Sequence, residues 1–324
     1  MAGVVVHIDP LIALAGLVVG FTVGLTGMGG GALSTPLLVI VFGVQPLAAV
    51  SSDLVAAVVM KPVGGVVHLR SGTVRRDIVK WLVIGSVPAA FSGALLLRAL
   101  GQGSREQHFI EIALGLALLA GSTAITARLL FAKPRAASGE PGGPAAISRR
   151  RIILTVLVGI GGGLIVGVTS VGSGSLIVIL LMAIYPRLST AELVGTDLVQ
   201  AVPLVGAAAF GHLLFGDFRL GLTTSLLIGS IPGVYVGARL SSRANTPFIR
   251  PALAVVLLLS GSKMLGASNL LLGMIFVGAT VGVGLIVLLR RAGVVRPRAT
   301  AERAREVQPV LRAETIRVQA AGDD

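Results

Sequence analysis

Residues Gly24–Pro36 read G-L-T-G-M-G-G-G-A-L-S-T-P, and residues Gly167–Ile179 read G-V-T-S-V-G-S-G-S-L-I-V-I. Both stretches lie inside strongly apolar sequence. Each places glycines and hydroxyls where a membrane helix would otherwise run on. Glycine permits positive φ and the close approach of another group. A helix that starts after such a turn has first N–H groups without intrahelical partners. Together with the positive end of the helix dipole, those groups favour an anion. One such turn is explained equally well by close packing of helices. A symmetric pair, each followed by a short apolar segment, is the pattern of transporter binding sites.

The sequence around the two turns is apolar throughout. The chain has 324 residues, of which 54% are hydrophobic and 13% charged, with a mean hydropathy of +0.93. Soluble domains carry about 25% charged residues. Apolar runs such as Leu11–Thr26 and Ile152–Val171 are too long and continuous for barrel strands, so an all-α integral membrane protein is expected. Eleven segments follow: 11–26, 31–43, 47–69, 78–100, 108–131, 152–170, 174–185, 190–214, 220–240, 251–266 and 269–289. Segments 31–43 and 174–185 are too short to cross a core of about 30 Å at about 1.5 Å per residue.

The two halves are a duplication. Gly16, Gly20, Gly24, Thr26, Gly29 and Gly31 recur 143 positions later as Gly159, Gly163, Gly167, Thr169, Gly172 and Gly174. After one insertion, Asp53-Leu54-Val55 recurs as Asp197-Leu198-Val199, His68 as His212, and Ile84-Gly85-Ser86 as Ile228-Gly229-Ser230. The expected organisation is a first membrane repeat over 1–131, a basic linker over 132–151 and a second repeat over 152–266. An additional span over 267–290 and a tail over 291–324 complete it.

The net charge of +13 is concentrated in the linker (Lys133, Arg135, Arg149, Arg150, Arg151) and in the tail from Arg290 onward. The positive-inside rule accounts for it through a cytoplasmic face meeting anionic lipid, so no nucleic-acid partner is called for. Counting back from a cytoplasmic tail puts the linker and the loop with Arg70, Arg75, Arg76 and Lys80 inside. The N-terminus, without Lys or Arg in its first ten residues, falls outside. Five segments per repeat then make the halves inverted. The chain has no cysteine, which excludes disulfides, thiolate metal sites and thiol catalysis.

The candidate anion site comprises Thr26, Gly27, Met28, Gly29, Gly30 and Gly31 from the first turn, with Thr169, Ser170, Val171, Gly172, Ser173 and Gly174 from the second. Ser34, Thr35 and Ser175 add hydroxyls. Asp53 and Asp197 lie inside spans, where a carboxylate costs several kcal/mol unless paired, protonated or hydrated. Three roles stand open for them: bracing the turns, carrying protons, or resting hydrated at the interface. Lys61 has Val205 at its partner position. Pro62 disfavours helical geometry at Lys61 and points to a broken helix there. Lys61 could attract an anion, pair with Asp53 or snorkel. His68 and His212 are read as hydrogen-bonded packing residues or as proton-handling gates.

No cofactor or metal is expected. Gly27-x-Gly29-x-x-Ala32 fits a dinucleotide pattern formally, but no strand precedes it. Ser173 with His212 could suggest an intramembrane hydrolase. Gly30, the equivalent of Ser173, has no hydroxyl, and no third orienting group is apparent.

At these residues the sequence resembles the sulfite exporter TauE/SafE family. The resemblance rests on G-L-T-G-M-G-G-G-A-L-S-T-P-L-L at 24–38, the S-D-L and T-D-L segments, H-L-R-S-G-T-V at 68–74 and G-S-I-P-G at 229–233. It implies a bacterial inner-membrane transporter of small anions, chiefly sulfite or organosulfonates. The combined expectation is a secondary transporter, read as an exporter, with two facing turns and alternating access. Its partners are a small anion and the lipid bilayer, and the sequence sets no oligomeric state. Proton-coupled uptake and a channel-like pore are the alternatives. A monoanion leaving a cell held at 100 mV, inside negative, gains about 2.3 kcal/mol from the field.

Overall fold

A computed structural model describes residues 8–26, 30–100, 103–131, 148–174, 176–241 and 249–291. The described residues form eleven helices and no strand. The first five are α1 (Pro10–Thr26), α2 (Gly31–Ile40), α3 (Pro46–Arg70), α4 (Arg76–Ala99) and α5 (Ser104–Phe131). The next five are α6 (Arg149–Thr169), α7 (Leu176–Ile184), α8 (Thr190–Phe215), α9 (Leu220–Ser241) and α10 (Ile249–Met264). The last is α11 (Asn269–Arg291). Six of them, namely α3, α4, α5, α6, α8 and α9, are long and apolar enough to cross a membrane. With 10 and 9 residues, α2 and α7 are only about 15 Å long at 1.5 Å per residue, half a bilayer core.

Leucine, valine and isoleucine are plentiful on the outside. Leu14, Val18, Leu157, Ile160, Ile231 and Tyr235 are all more than 40% exposed. In water such a surface would drive aggregation, whereas in a bilayer it is the lipid-facing side. The interior is made from small residues and a polar minority. With no hydrophobic drive between helices in lipid, close backbone approach supplies the cohesion.

That approach occurs twice in the same form. Along α1 and α9, a Cβ added at Gly16 would strike the Leu226 backbone, and one at Gly20 the Ser230 backbone. Along α6 and α4, a Cβ at Gly159 would strike Leu82, and one at Gly163 would strike Ser86. These residues are the repeat partners of the first set. The interface of α1 with α9 thus matches that of α6 with α4, each helix crossing to the opposite half. At the centre, α3 packs on α8 and α5 on α10, each joining a helix to its own counterpart.

The expected break at Lys61–Pro62 does not occur. Helix α3 continues through Pro62 to Arg70, and α8 likewise contains Pro203. A membrane helix tolerates proline where neighbouring groups take up the freed carbonyl. Helix α11 packs against α10, and Leu270, Met274, Val277 and Val281 stand exposed on it.

Candidate functional site

The described parts of the two turns meet. Gly30 precedes α2 in helical conformation (φ −59°, ψ −36°) and, as glycine, brings no side-chain cap of its own. The second turn leaves α6 through Ser170, which is left-handed at φ 58° and ψ −2°. It is the single non-glycine residue with positive φ among those described. Gly172 (φ 124°) and Gly174 (φ 99°) continue the turn into α7. The start of α2 lies on this turn so closely that a Cβ at Gly31 would collide with the Ser170 carbonyl. Only glycine fits there, which gives Gly31 a packing reason independent of any ligand.

Asp53 ties the two turns together. It is fully buried in α3. Its Oδ1 accepts from Ser34 Oγ on α2, and its Oδ2 accepts from Ser170 Oγ at 2.5 Å and from Thr35 Oγ1 at 3.4 Å. One carboxyl therefore holds hydroxyls from both halves. Bonds to charged groups contribute about 1.5–3 kcal/mol each. Two or three of them offset the several kcal/mol that an intramembrane carboxylate costs. These bonds to Asp53 come from side-chain hydroxyls.

Asp197 takes the equivalent place on α8 with different partners. Gln200 Nε2 donates to Asp197 Oδ1 at 3.0 Å, and Ser86 Oγ donates to Gln200 Oε1 at 3.2 Å. The Gly174 backbone N–H also faces this carboxyl. In the first half the position of Gln200 is filled by Ala56, and Ser230, the counterpart of Ser86, is buried with no hydrogen-bond partner. Sequence reading missed Gln200. Its signal was a polar amide one turn beyond Asp197, followed by an apolar run to Gly211.

Lys61 is buried and crosses between the halves. Its Nζ donates to Ser173 Oγ in the second turn, and its charge acts on both Asp197 and Asp53. The ammonium does not snorkel. Although Lys61 belongs to the first repeat, its charge is delivered to the second turn.

The remaining candidates fall around this centre. Thr26 Oγ1 donates to the Thr22 carbonyl of its own helix. Thr169 Oγ1 donates to the Ile165 carbonyl at 2.6 Å and accepts from the Val171 N–H at 3.1 Å, which folds the turn. Val171 packs with Ala32, Leu114 and Leu257. Gly27, Met28, Gly29 and Ser175 lie outside the described residues. His212 joins Ser51 Oγ (Nδ1, 2.8 Å) to the Gly167 carbonyl (Nε2, 2.7 Å) and is fully buried. Ser173 and His212 thus have separate partners: Lys61 meets Ser173, and the serine that meets His212 is Ser51. His68 lies fifteen residues along α3 from Asp53, about 22 Å at 1.5 Å per residue, and pairs with Thr73 Oγ1.

A cavity of about 360 Å³ opens beside the second turn, between Leu96, Phe109, Leu116, Leu164, Thr169 and Leu176. Its walls are apolar, so it does not suit an anion. The polar centre is the network of Asp53, Lys61, Asp197 and the turn hydroxyls.

Residues 12–264 match the family described as "Sulfite exporter TauE/SafE". The chain is 38% identical over 255 residues to the "Probable membrane transporter protein YjnA" of Bacillus subtilis, covering 78% of this chain and 98% of that protein. It is 27% identical over 257 residues to the "Probable membrane transporter protein YdhB" of the same organism, covering 77% and 99%. No solved structure gives a significant match. A multi-pass helical membrane protein with these relatives is a membrane transporter. Within that class, the chain belongs to the TauE/SafE family.

Proposed function

We propose that this transporter moves small anions, of which sulfur oxyanions and organosulfonates fit best, by alternating access around the two facing turns. The observation that carries the reading is the contact of Lys61 with Ser173. Lys61 is the one buried cation among the described residues, and it meets a hydroxyl of the glycine-rich turn from the opposite half. An anion entering between the turns takes the place of the carboxylates as the counter-charge of Lys61. It finds hydroxyls at Ser34, Ser170 and Ser173 and the positive end of the helix dipole at the start of α2. The tetrahedral oxygens of a sulfonate suit such a spread of donors.

The duplicated interfaces of α1 with α9 and of α6 with α4 support two repeats that rock against each other. The charge distribution supports their inversion, with the N-terminus outside and the tail in the cytoplasm. Were the anion to cross without a coupling ion, the membrane potential would drive it outward, and on that condition the protein reads as an exporter. The test is flux in liposomes over sulfite, thiosulfate, organosulfonates, sulfate and small carboxylates. Saturable flux of the sulfur compounds is expected. Flux of none of these anions sinks the reading, and unsaturable conductance replaces the carrier with a pore.

A further inference from the structure

We propose that each monovalent anion crosses together with one proton, taken up by the Asp53–Asp197 pair, so that transport is electroneutral. The inference rests on the anion-transport reading and adds its coupling ion. It follows from counting the charges that the fold encloses. Asp53, Asp197 and Lys61 are all buried, on the two helices packed at the centre of the molecule. One ammonium balances one carboxylate, so the empty site is neutral when the pair holds a single proton. A monoanion brings a second negative charge into a medium where unbalanced charge is expensive. Neutrality is restored when the second carboxylate also takes a proton. That proton comes from the water on the side from which the anion enters, and it leaves with the anion on the other side.

Among the described residues whose burial is given, no second buried lysine or arginine balances the anion, and the one further buried carboxyl, Glu106, sits in the first turn of α5. Helix α2 presents only the hydroxyls of Ser34 and Thr35 to Asp53, and the second turn presents Ser170. From α8 come Asp197 and His212. His212 is satisfied as a neutral imidazole, Nε2–H to the Gly167 carbonyl and Nδ1 from Ser51. On α5, Glu106, His108 and Glu111 lie near the helix start, where Gln107 Oε1 accepts from the Leu47 N–H at the beginning of α3. On α9, Tyr235 and Arg239 stand at the far end, Arg239 over the Tyr235 ring. The hydroxyls on Asp53 suit both of its states, because each can donate to a carboxylate or accept from a carboxyl.

Coupling changes what drives the flux. The field no longer acts on the loaded carrier, and the direction follows the combined gradients of anion and proton. The test uses the full-length protein in liposomes with an internal pH dye and labelled methanesulfonate or isethionate. Both stay ionised and do not leak through lipid as neutral acids. The membrane potential is set with potassium and valinomycin. The expected result is one proton per sulfonate and the same flux at 0 and at about −100 mV. The double variant Asp53→Asn/Asp197→Asn, with one cation and no carboxylate, is expected to lose proton movement with sulfonate, and the sulfonate flux that it retains to respond to potential. Sulfonate entry without protons in the wild type, or a requirement for sodium, overturns the coupling and leaves anion transport standing. Entry of neither sulfonate overturns the coupling and the substrate class together.

Discussion

Adjacent glycines in the first turn are expected to respond in opposite senses to the same substitution. In Gly31→Ala the new Cβ comes within 2.7 Å of both the carbonyl carbon and the Oγ of Ser170, and closer still to its carbonyl oxygen. Ordinary contact begins at 3.4 Å. The start of α2 must therefore retreat by about 0.7 Å, the difference between those two distances, and by more at the oxygen. The atoms in the way are backbone at the end of α6, so no rotamer change relieves the clash. Overpacking of this kind costs about 1–3 kcal/mol. The same retreat pulls Ser34 away from Ser170 across Asp53. At Gly30 the nearest atoms to an added Cβ are Met60 Cε at 3.6 Å, Val23 Cγ2 at 3.8 Å and Ser34 Oγ at 4.0 Å, and φ is −59°. Alanine fits there and stabilises by about 0.4–1 kcal/mol through the unfolded chain. Heating detergent-solubilised protein and following the surviving monodisperse fraction gives the ranking: Gly30→Ala at or above wild type, Gly31→Ala clearly below. Sulfonate flux of Gly31→Ala should fall by about tenfold or more, since each 1.4 kcal/mol is a factor of ten. Equal midpoints for the two variants would refute the claim that the turns touch at Gly31.

Three further outcomes are expected. Lys61→Gln keeps a donor for Ser173 but removes the charge; sulfonate KM should rise by about tenfold to a hundredfold, the worth of a charged hydrogen bond, as read from initial rates. His212→Phe leaves the Gly167 carbonyl without its donor and should destabilise by about 1–3 kcal/mol in thermal unfolding, with His212→Gln recovering part of the loss. Ending the chain after Gly266 removes α11, which lies beyond the family match and packs against α10. Sulfonate flux per folded protein should remain within about twofold of the full chain, because additivity holds for distant, unshared sites.

Much of the architecture was legible because membrane sequence is constrained. The eleven segments agree with the helices to within a few residues, since each stands between polar or glycine-rich breaks. Asp53 and Asp197, His68 and His212, and Gly16 and Gly159 stand in register in the sequence, and Gly16 and Gly159 make matching helix contacts in the fold. The break at Pro62 failed because local backbone preference yields to the packing around α3. The site was legible in part. Ser170, Ser173, Gly31, Asp53 and Lys61 were chosen from the sequence, and the fold joins them in one network. What the sequence could not show is that the bonds run between halves. Lys61 reaches Ser173, 112 positions away, and Asp53 reaches Ser170, 117 positions away. The Thr26 hydroxyl donates within its own helix, and the Thr169 hydroxyl donates to its own helix and accepts from the turn at Val171. Gln200 was passed over because its partner position carries alanine, so no symmetry drew attention to it.

The central claim is that an anion binds between the two turns and is exposed to each side of the membrane in alternation. A chain without cysteine allows this to be tested at one atom. Ser173→Cys places a single thiol where Lys61 meets the second turn. The measurement is its labelling rate with a membrane-impermeant thiol reagent, in right-side-out and in inverted vesicles, with and without methanesulfonate. Labelling from both sides, slowed by methanesulfonate at concentrations near the transport KM, is the expected result. Labelling from one side alone, or a rate that methanesulfonate leaves unchanged, contradicts it.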